Sequence, residues 1–119
     1  MPLNGIRVIE FCHMVMGPTC GMILGDLGAD VIKVEPLSGD ATRQLEHDGA
    51  GFFASYNRNK RSIALDLKSP KGLEVAKKLA ISADIVIENF RPGALEKLGL
   101  GYAELSKSNS GLIYCSLKG

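Results

Sequence analysis

The segment Glu88–Gly93, with the sequence Glu-Asn-Phe-Arg-Pro-Gly, places three side chains suited to ligand binding next to one another. Asn89 can hydrogen-bond a heterocycle, Phe90 can cover an apolar or planar ligand, and Arg91 can bind a phosphate through two parallel hydrogen bonds. The segment follows an apolar strand pattern and contains a Pro-Gly turn. Two interpretations stay open: a ligand-binding segment, or an ordinary strand-to-helix turn with Asn89 as a cap.

A second basic region covers residues 57–78, which include seven basic and two acidic residues. Its first part, Asn57–Arg61, crowds amides and cations into a turn that could neutralise phosphates or simply be solvated. The later lysines, Lys71, Lys77 and Lys78, fit the solvated face of a helix. No aromatic residues alternate with the cations, so the region gives little support to single-stranded nucleic-acid binding.

Two glycine patterns could indicate a phosphate or dinucleotide site. Gly17, Gly21 and Gly25 recur every four residues and share one side of a helix, which favours close packing on a sheet but leaves a phosphate at the helix start possible. Residues 49–54 match G-x-G-x-x-A, but they follow a polar segment instead of a strand. Glu35 could mimic the acid that binds a nicotinamide ribose, yet the turn 13–18 lacks the glycine triplet. A dinucleotide site therefore has little support.

The histidines and cysteines form no recognisable catalytic or metal-binding pattern. His13 has no visible partner as a base, and His47 lies among acidic residues on an expected solvated loop. Cys12, Cys20 and Cys115 form no C-x-x-C pair, so neither a structural metal site nor a disulfide framework is expected. We expect three thiols in a reducing compartment, which favours a cytoplasmic location.

The composition bounds the class of protein. The chain has 119 residues, enough for one domain, and a net charge of +1, which argues against a dedicated nucleic-acid binder. Hydrophobic residues make up 45% and charged residues 23%, as in globular proteins. No apolar run is long enough to span a membrane, and the N-terminus does not resemble a signal peptide.

Short β-branched segments alternate with helical patterns along the chain. This order predicts an α/β fold with an open, mainly parallel, Rossmann-like sheet and helices on both faces. The expected strands are Ile6–Phe11, Val31–Val34, an alternating segment at 62–67, Ile85–Ile87 and Leu112–Cys115. The expected helices are Gly17–Leu27, Pro70–Ser82 with Ser69 as its N-cap, Ala94–Leu98 and Tyr102–Ser106.

In such sheets ligands bind beyond the carboxyl ends of the strands. The segments expected there are Cys12–Pro18, Glu35–Gly39, Glu88–Gly93 and Leu117–Gly119. They bring potential ligand-binding side chains to one edge: His13, Glu35, Asn89, Phe90, Arg91 and Lys118.

Taken together, four segments of the chain resemble the class III coenzyme A transferases, the CaiB/BaiF type, which include α-methylacyl-CoA racemases. The segments are Leu3–Phe11 continuing to Gly17-Pro18, Leu27–Glu35, Asn57–Lys68 and Glu88–Leu100. Their order and spacing are specific, and the resemblance extends over essentially the whole chain.

The resemblance implies that residues 1–119 form the N-terminal part of a coenzyme A-binding, Rossmann-like large domain, without a second domain. Relatives are several-fold longer and form interlocked homodimers. They move coenzyme A between an acyl-CoA donor and a small carboxylic acid through an aspartyl anhydride. The resemblance puts the catalytic aspartate beyond Gly119, so no catalytic residue and no bound cofactor is expected here. A racemase-like enzyme and a non-catalytic coenzyme A- or nucleotide-binding module are the alternatives.

The resemblance also implies roles for particular residues of this chain. The backbone of Met14, Val15 and Met16 would line the coenzyme, and Asn57–Arg61 would help to shape the site. Pro36 stands where some relatives have an arginine, and a lysine stands at position 97 where arginine is frequent. The remaining contacts implied are Leu65 and Lys68 at the adenine and ribose, Asn89, Phe90 and Arg91 at the nucleotide, Lys97 at a phosphate with Leu98 beside it, and Lys118 near the pantetheine arm or thioester.

Overall fold

A five-stranded parallel sheet forms the centre of the computed structural model, which describes residues 1–46, 49 and 51–118. The strands are β1 (Arg7–Phe11), β2 (Asp30–Glu35), β3 (Lys60–Ala64), β4 (Ile85–Glu88) and β5 (Ile113–Ser116). Their order in the sheet is β3-β2-β1-β4-β5, with β1 in the middle. The predicted α/β fold with an open parallel sheet is confirmed.

Within the described residues, five helices and a 3-10 turn connect the strands. The helices are α1 (Met16–Asp26), α2 (Phe52–Tyr56), α3 (Pro70–Ile81), α4 (Ala94–Lys97) and α5 (Tyr102–Ser108), and the 3-10 turn covers Ala41–Gln44. α3 begins as predicted: Pro70 occupies its first turn, and the Ser69 hydroxyl accepts a hydrogen bond of 3.0 Å from the N–H of Gly72. No helix of the described residues has the length and apolarity that a membrane crossing requires.

The two faces of the sheet bury separate apolar clusters, because successive strand residues point to opposite sides. On one face Val8, Val31 and Ile87 pack with Leu24 of α1. On the other face the buried strand residues pack against α3, α4 and α5: Ile9, Phe11, Ile32, Val34 and Val86 with Ala76, Ala80, Leu95 and Leu105. Helices therefore cover both faces, as predicted.

β3 differs from the prediction. Alternation of apolar residues indicated a strand within 62–67, but β3 begins at Lys60 and ends at Ala64. The chain turns at Asp66, whose side chain accepts a hydrogen bond from the N–H of Lys68 at 3.0 Å. Leu65 and Leu67 still pack against the core from this turn. α2 and the 3-10 turn were not predicted. His47 and one position of the G-x-G-x-x-A match at 49–54 lie outside the described residues.

The glycines of α1 lie against the sheet. A Cβ atom on Gly17 would lie 2.5 Å from the Cys12 sulfur, and one on Gly21 would collide with the carboxylate of Glu10. A Cβ on Gly25 would lie 3.3 Å from the backbone oxygen of Asn59. The close-packing interpretation of these glycines is confirmed.

Gly21→Ala should destabilise the protein although alanine is the better helix former. The collision with Glu10 lies in a buried site, where overpacking costs about 1–3 kcal/mol, against about 1 kcal/mol gained in helix propensity. Urea unfolding of both proteins measures the net loss. Gly111→Ala is the control, because a Cβ at this exposed turn meets nothing within 4 Å. Equal losses from the two substitutions would contradict the close packing.

Candidate functional site

A groove of about 710 Å³ lies beyond the carboxyl ends of β1, β2 and β3. This is the edge at which the sequence predicts a ligand, next to the point where the chain crosses from β3 on one side of β1 to β4 on the other. The residues that line the groove come from four segments at the ends of these strands and of β4: Cys12 and His13, Val34–Ala41, Leu65–Lys68, and Phe90.

The walls of the groove are mostly apolar. Val34, Leu65 and Leu67 belong to or pack against the core, and Phe90 closes the side nearest β4. Leu37, which also belongs to the lining, is 69% exposed. The groove therefore suits a planar or apolar group, with the basic side chain of Lys68 also in its lining.

Glu35, at the end of β2, holds the loop that forms one wall. Its carboxylate accepts hydrogen bonds from the backbone N–H of Asp40 at 2.7 Å, from both Nε and Nη2 of Arg43 at 2.7 and 2.8 Å, and from the Ser62 hydroxyl. Burial alone would raise the pKa of Glu35, but these hydrogen bonds outweigh burial and lower the pKa to about 2. The Arg43 guanidinium also stacks on the ring of Phe53, 3.8 Å from its centroid.

Asp40 fixes the other end of this loop. One oxygen, Oδ1, accepts hydrogen bonds from the N–H and the hydroxyl of Thr42 at 2.8 and 2.7 Å, and Oδ2 lies 3.0 Å from the ammonium of Lys33. Burial acts to raise the pKa of Asp40, but the bonds from Thr42 and Lys33 lower it overall. Gly39 has φ +83°, a conformation that favours glycine, where the turn from Pro36 closes.

Buried charges continue beneath the groove on the α1 face of the sheet. Lys33 is 3.2 Å from one oxygen of Glu10, and Lys60 is 2.7 Å from the other. Burial raises the pKa of Glu10 and lowers the pKa of Lys60, while their mutual attraction opposes both shifts. This cluster is not among the features predicted from the sequence. A charged residue inside each apolar strand, Glu10 in β1 and Lys33 in β2, was the signal that could have found it.

A smaller cleft of about 200 Å³ adjoins the groove and shares Phe90 with it. Its walls come from the segment after β4 and the segment after β5: Asn89, Phe90, Arg91, Pro92, Leu117 and Lys118. Lys118 donates hydrogen bonds to Glu88 at 2.5 Å and to the Phe90 carbonyl at 2.6 Å. The two segments are therefore joined by one lysine.

Asn89 joins the ends of β1 and β4. Its Oδ1 accepts a hydrogen bond from the N–H of His13 at 3.0 Å, and its Nδ2 donates to the His13 carbonyl at 2.7 Å. The imidazole of His13 packs obliquely against Phe90, with ring centroids 5.7 Å apart. The alternative in which Asn89 caps the following helix is wrong, because the N-cap of α4 is Gly93 and Asn89 instead bonds the His13 backbone. Asn89 also lines the cleft.

The structure brings together some, but not all, of the residues predicted to bind a ligand. Leu65, Lys68 and Phe90 line the groove, and Asn89, Phe90, Arg91 and Lys118 line the cleft. The other predicted residues line neither cavity: Met14, Val15 and Met16 are exposed at the start of α1, Lys97 is exposed, and Leu98 packs against the core.

The turn Asn57–Arg61 lies at the opposite, amino-terminal edge of the sheet, so the expectation that it shapes the site is corrected. Arg58 pairs with Asp26 at 2.8 Å, Arg61 pairs with Asp30 at 2.6 Å, and Lys60 is buried. These cations form ion pairs with carboxylates of the protein itself. Pro36, in contrast, does line the groove.

Acid should weaken the structure by protonating Glu35. Its folded pKa, about 2, lies below the ordinary value of 4.5, so its contribution to stability is complete above about pH 4.5 and disappears as the pH falls toward 2. Arg43→Met should lower the free energy of unfolding by about 1–3 kcal/mol at pH 7, and by progressively less between pH 4.5 and 2. Urea unfolding across this pH range measures both effects.

Lys78→Met is the control for this prediction, because Lys78 pairs with Glu74 on the surface of α3. A cost of Arg43→Met that stays constant from pH 7 to pH 2 would contradict the assigned role of the Glu35–Arg43 pair.

The chain matches known proteins over nearly its whole length. It is 44% identical to mouse succinyl-CoA:glutarate CoA-transferase, with 99% of this chain and 28% of the mouse protein aligned. It is 47% identical to formyl-CoA:oxalate CoA-transferase of Afipia carboxidovorans, with 98% and 29% aligned. A crystal structure of a CAIB/BAIF family protein from Brucella suis matches with a TM-score of 0.93 and 45% identity, covering 100% of this chain and 34% of that one.

The chain thus spans less than a third of the length of these curated relatives, and it corresponds to an N-terminal segment of them. The match to the family described as CoA-transferase family III extends over residues 3–119. On sequence and on fold alike, the chain belongs to CoA-transferase family III.

Proposed function

We propose that this chain forms the coenzyme A-binding part of a family III CoA-transferase, as the N-terminal part of its large domain. The observation that carries the proposal is the apolar groove joined through Phe90 to a cleft with two basic side chains. Coenzyme A combines a flat adenine ring with phosphates and a thiol-bearing arm. A site for it needs an apolar slot beside cations, and these two cavities supply both.

The adenine and ribose would occupy the groove. Leu65 and Phe90 would contact the ring, and Lys68 would lie toward the ribose. The phosphates would face Arg91, whose planar guanidinium can donate two hydrogen bonds to one phosphate. Lys118, which is held between Glu88 and the Phe90 carbonyl, would lie near the pantetheine arm or thioester.

The exposed residues Met14–Met16 and Lys97 belong to the proposal in a different way. They line neither cavity, but they lie on segments that follow β1 and β4, at the same edge as the groove. A ligand as long as coenzyme A extends beyond either cavity, so these residues would contact its outlying parts. Leu98 would support Lys97 by packing against the core.

In the whole protein the substrates would be a coenzyme A thioester and a small carboxylic acid. An aspartate beyond Gly119 would attack the thioester carbon and displace coenzyme A as its thiolate, forming a mixed anhydride. The acceptor carboxylate would attack the aspartyl carbonyl carbon of this anhydride and displace the donor acid, forming a second mixed anhydride. The thiolate would then attack the acyl carbon of the acceptor, which forms the new thioester and releases the aspartate. This segment would hold the coenzyme throughout and supply no nucleophile.

We also propose a homodimer in the cytoplasm. Large apolar side chains are exposed, among them Ile23, Leu37 and Ile113, and a second chain would cover part of this surface. The three free cysteines fit a reducing compartment.

Calorimetric titration of this chain with coenzyme A tests the proposal. Saturable binding is expected, and Arg91→Ala should weaken it about tenfold or more, because a charged hydrogen bond to phosphate contributes about 1.5–3 kcal/mol. Lys97→Ala should weaken binding by a smaller factor, since an ammonium lacks the bidentate geometry. Lys107→Ala is the control, because Lys107 lies in α5 and pairs with Glu104 on the surface.

Turnover is measured on the same preparation with an acyl-CoA and a carboxylic acid. Binding without turnover fits a coenzyme-binding segment whose nucleophile lies elsewhere. Absence of binding by a chain shown to be folded would contradict the proposal, and turnover by this chain alone would contradict the location of the nucleophile.

A further inference from the structure

Lys33 connects the groove to the buried charges beneath it. Its side chain is 1% exposed in β2, next to the central strand. The ammonium lies 3.2 Å from Glu10 Oε2, 3.0 Å from Asp40 Oδ2 and 2.8 Å from the Cys12 carbonyl oxygen. The ammonium therefore donates hydrogen bonds to Glu10 and to the Cys12 carbonyl, and its contact with Asp40 is an ion pair.

Two of these acceptors belong to different walls of the groove. Cys12 follows β1 and continues into His13, while Asp40 ends the loop that begins at Pro36. A single buried cation thus fixes the distance between the segment after β1 and the loop after β2. That loop contributes residues 36–41 to the groove lining.

Asp40 depends on Lys33 because its carboxylate is 3% exposed. Oδ1 is occupied by Thr42, and Lys33 is the basic residue paired with Oδ2 within the described ranges. Without that cation a buried carboxylate would lack a counter-ion, and moving it into water would relieve a large desolvation cost. Such a movement would displace the 36–41 wall.

Lys60 provides a comparison within the same cluster. Its side chain is 2% exposed and lies 2.7 Å from the other oxygen of Glu10. Its remaining acceptors are the Pro18 carbonyl at 2.9 Å and Asn57 Oδ1 at 2.8 Å, neither of which lines the groove. The two lysines are matched in burial and in their shared partner, and they differ in contact with the groove walls.

We propose that Lys33 is a positioning residue for the ligand groove, which it shapes by tying the Asp40 loop to the end of β1. Its effect on ligand affinity rests on the proposed coenzyme A function, whereas its effect on the loop does not. Lys60 has the corresponding role for α1 and the Asn57 turn, without influence on the groove.

Hydrogen exchange tests the loop directly in Lys33→Met and Lys60→Met. The amides of Gly39, Asp40, Thr42 and Arg43 each donate a hydrogen bond within this loop or to Glu35. In each variant the exchange rates of these amides are divided by those of the α3 amides. The resulting ratio should be at least tenfold higher in Lys33→Met than in Lys60→Met. Coenzyme A should bind at least tenfold more weakly to Lys33→Met and within about threefold of wild type to Lys60→Met.

Asp40→Asn is the second variant, for the case that Lys33→Met does not fold. It keeps the shape of the side chain and leaves Lys33 paired with Glu10, so faster exchange confined to residues 39–43 is expected. Equal exchange of this loop in the lysine variants, or unchanged exchange in Asp40→Asn, would overturn the proposal. Faster loop exchange with equal coenzyme A affinity in the two lysine variants would overturn the link to ligand binding. Selective loop exchange in a wild-type chain that binds no coenzyme A would support the positioning role and contradict the proposed function.

Discussion

The burial of Glu10 between two lysines is the interaction on which the rest of the structure depends. A carboxylate in the central strand of a parallel sheet has no access to water, and removal from water costs several kcal/mol per ion. Lys33 and Lys60 offset this cost from β2 and β3, so the charges also tie three neighbouring strands together. α1 can cover the pair only because Gly21 has no side chain, since any Cβ there would collide with the Glu10 carboxylate.

The carboxyl edge is organised by a recurring contact, in which a polar side chain at the end of one strand binds the backbone of a neighbouring loop. Glu35 accepts from the N–H of Asp40, Asn89 binds both polar groups of the His13 backbone, and Lys118 donates to the Phe90 carbonyl. Loops at a sheet edge lack ladder partners, and buried backbone groups need hydrogen bonds. These side chains supply them, so the groove is shaped before any ligand arrives.

The sequence was sufficient to predict the parallel sheet, apart from the bounds of β3, and the edge that carries the cavities. Local conformational preferences predict a strand from the apolar β-branched run Val31–Val34 and a helix start from Ser69-Pro70. The tertiary structure does not override either preference. The end of β3 was not predictable in this way, because Leu65 and Leu67 keep their apolar contacts from a turn as well as they would from a strand. The cations of Asn57–Arg61 were misplaced for a similar reason. Arg58 and Arg61 are more than thirty positions along the chain from their partners, Asp26 and Asp30. Only the folded sheet brings these pairs close.

The polar residues at and around the site fall into two groups: those already bonded to other parts of the protein, and those without an ion-pair partner in the described residues. Asn89 and Lys118 are engaged with the protein, so a ligand that contacts them meets groups fixed in position. Lys68, Arg91 and Lys97 form no ion pair in the described part of the chain and keep their charge available to an incoming anion. A fixed scaffold with unpaired cations around it reduces the ordering cost of binding and leaves the attraction for an anion undiminished. Substitution of the fixed group should therefore change the shape of the site, whereas substitution of the unpaired cations should change its affinity for negative charge.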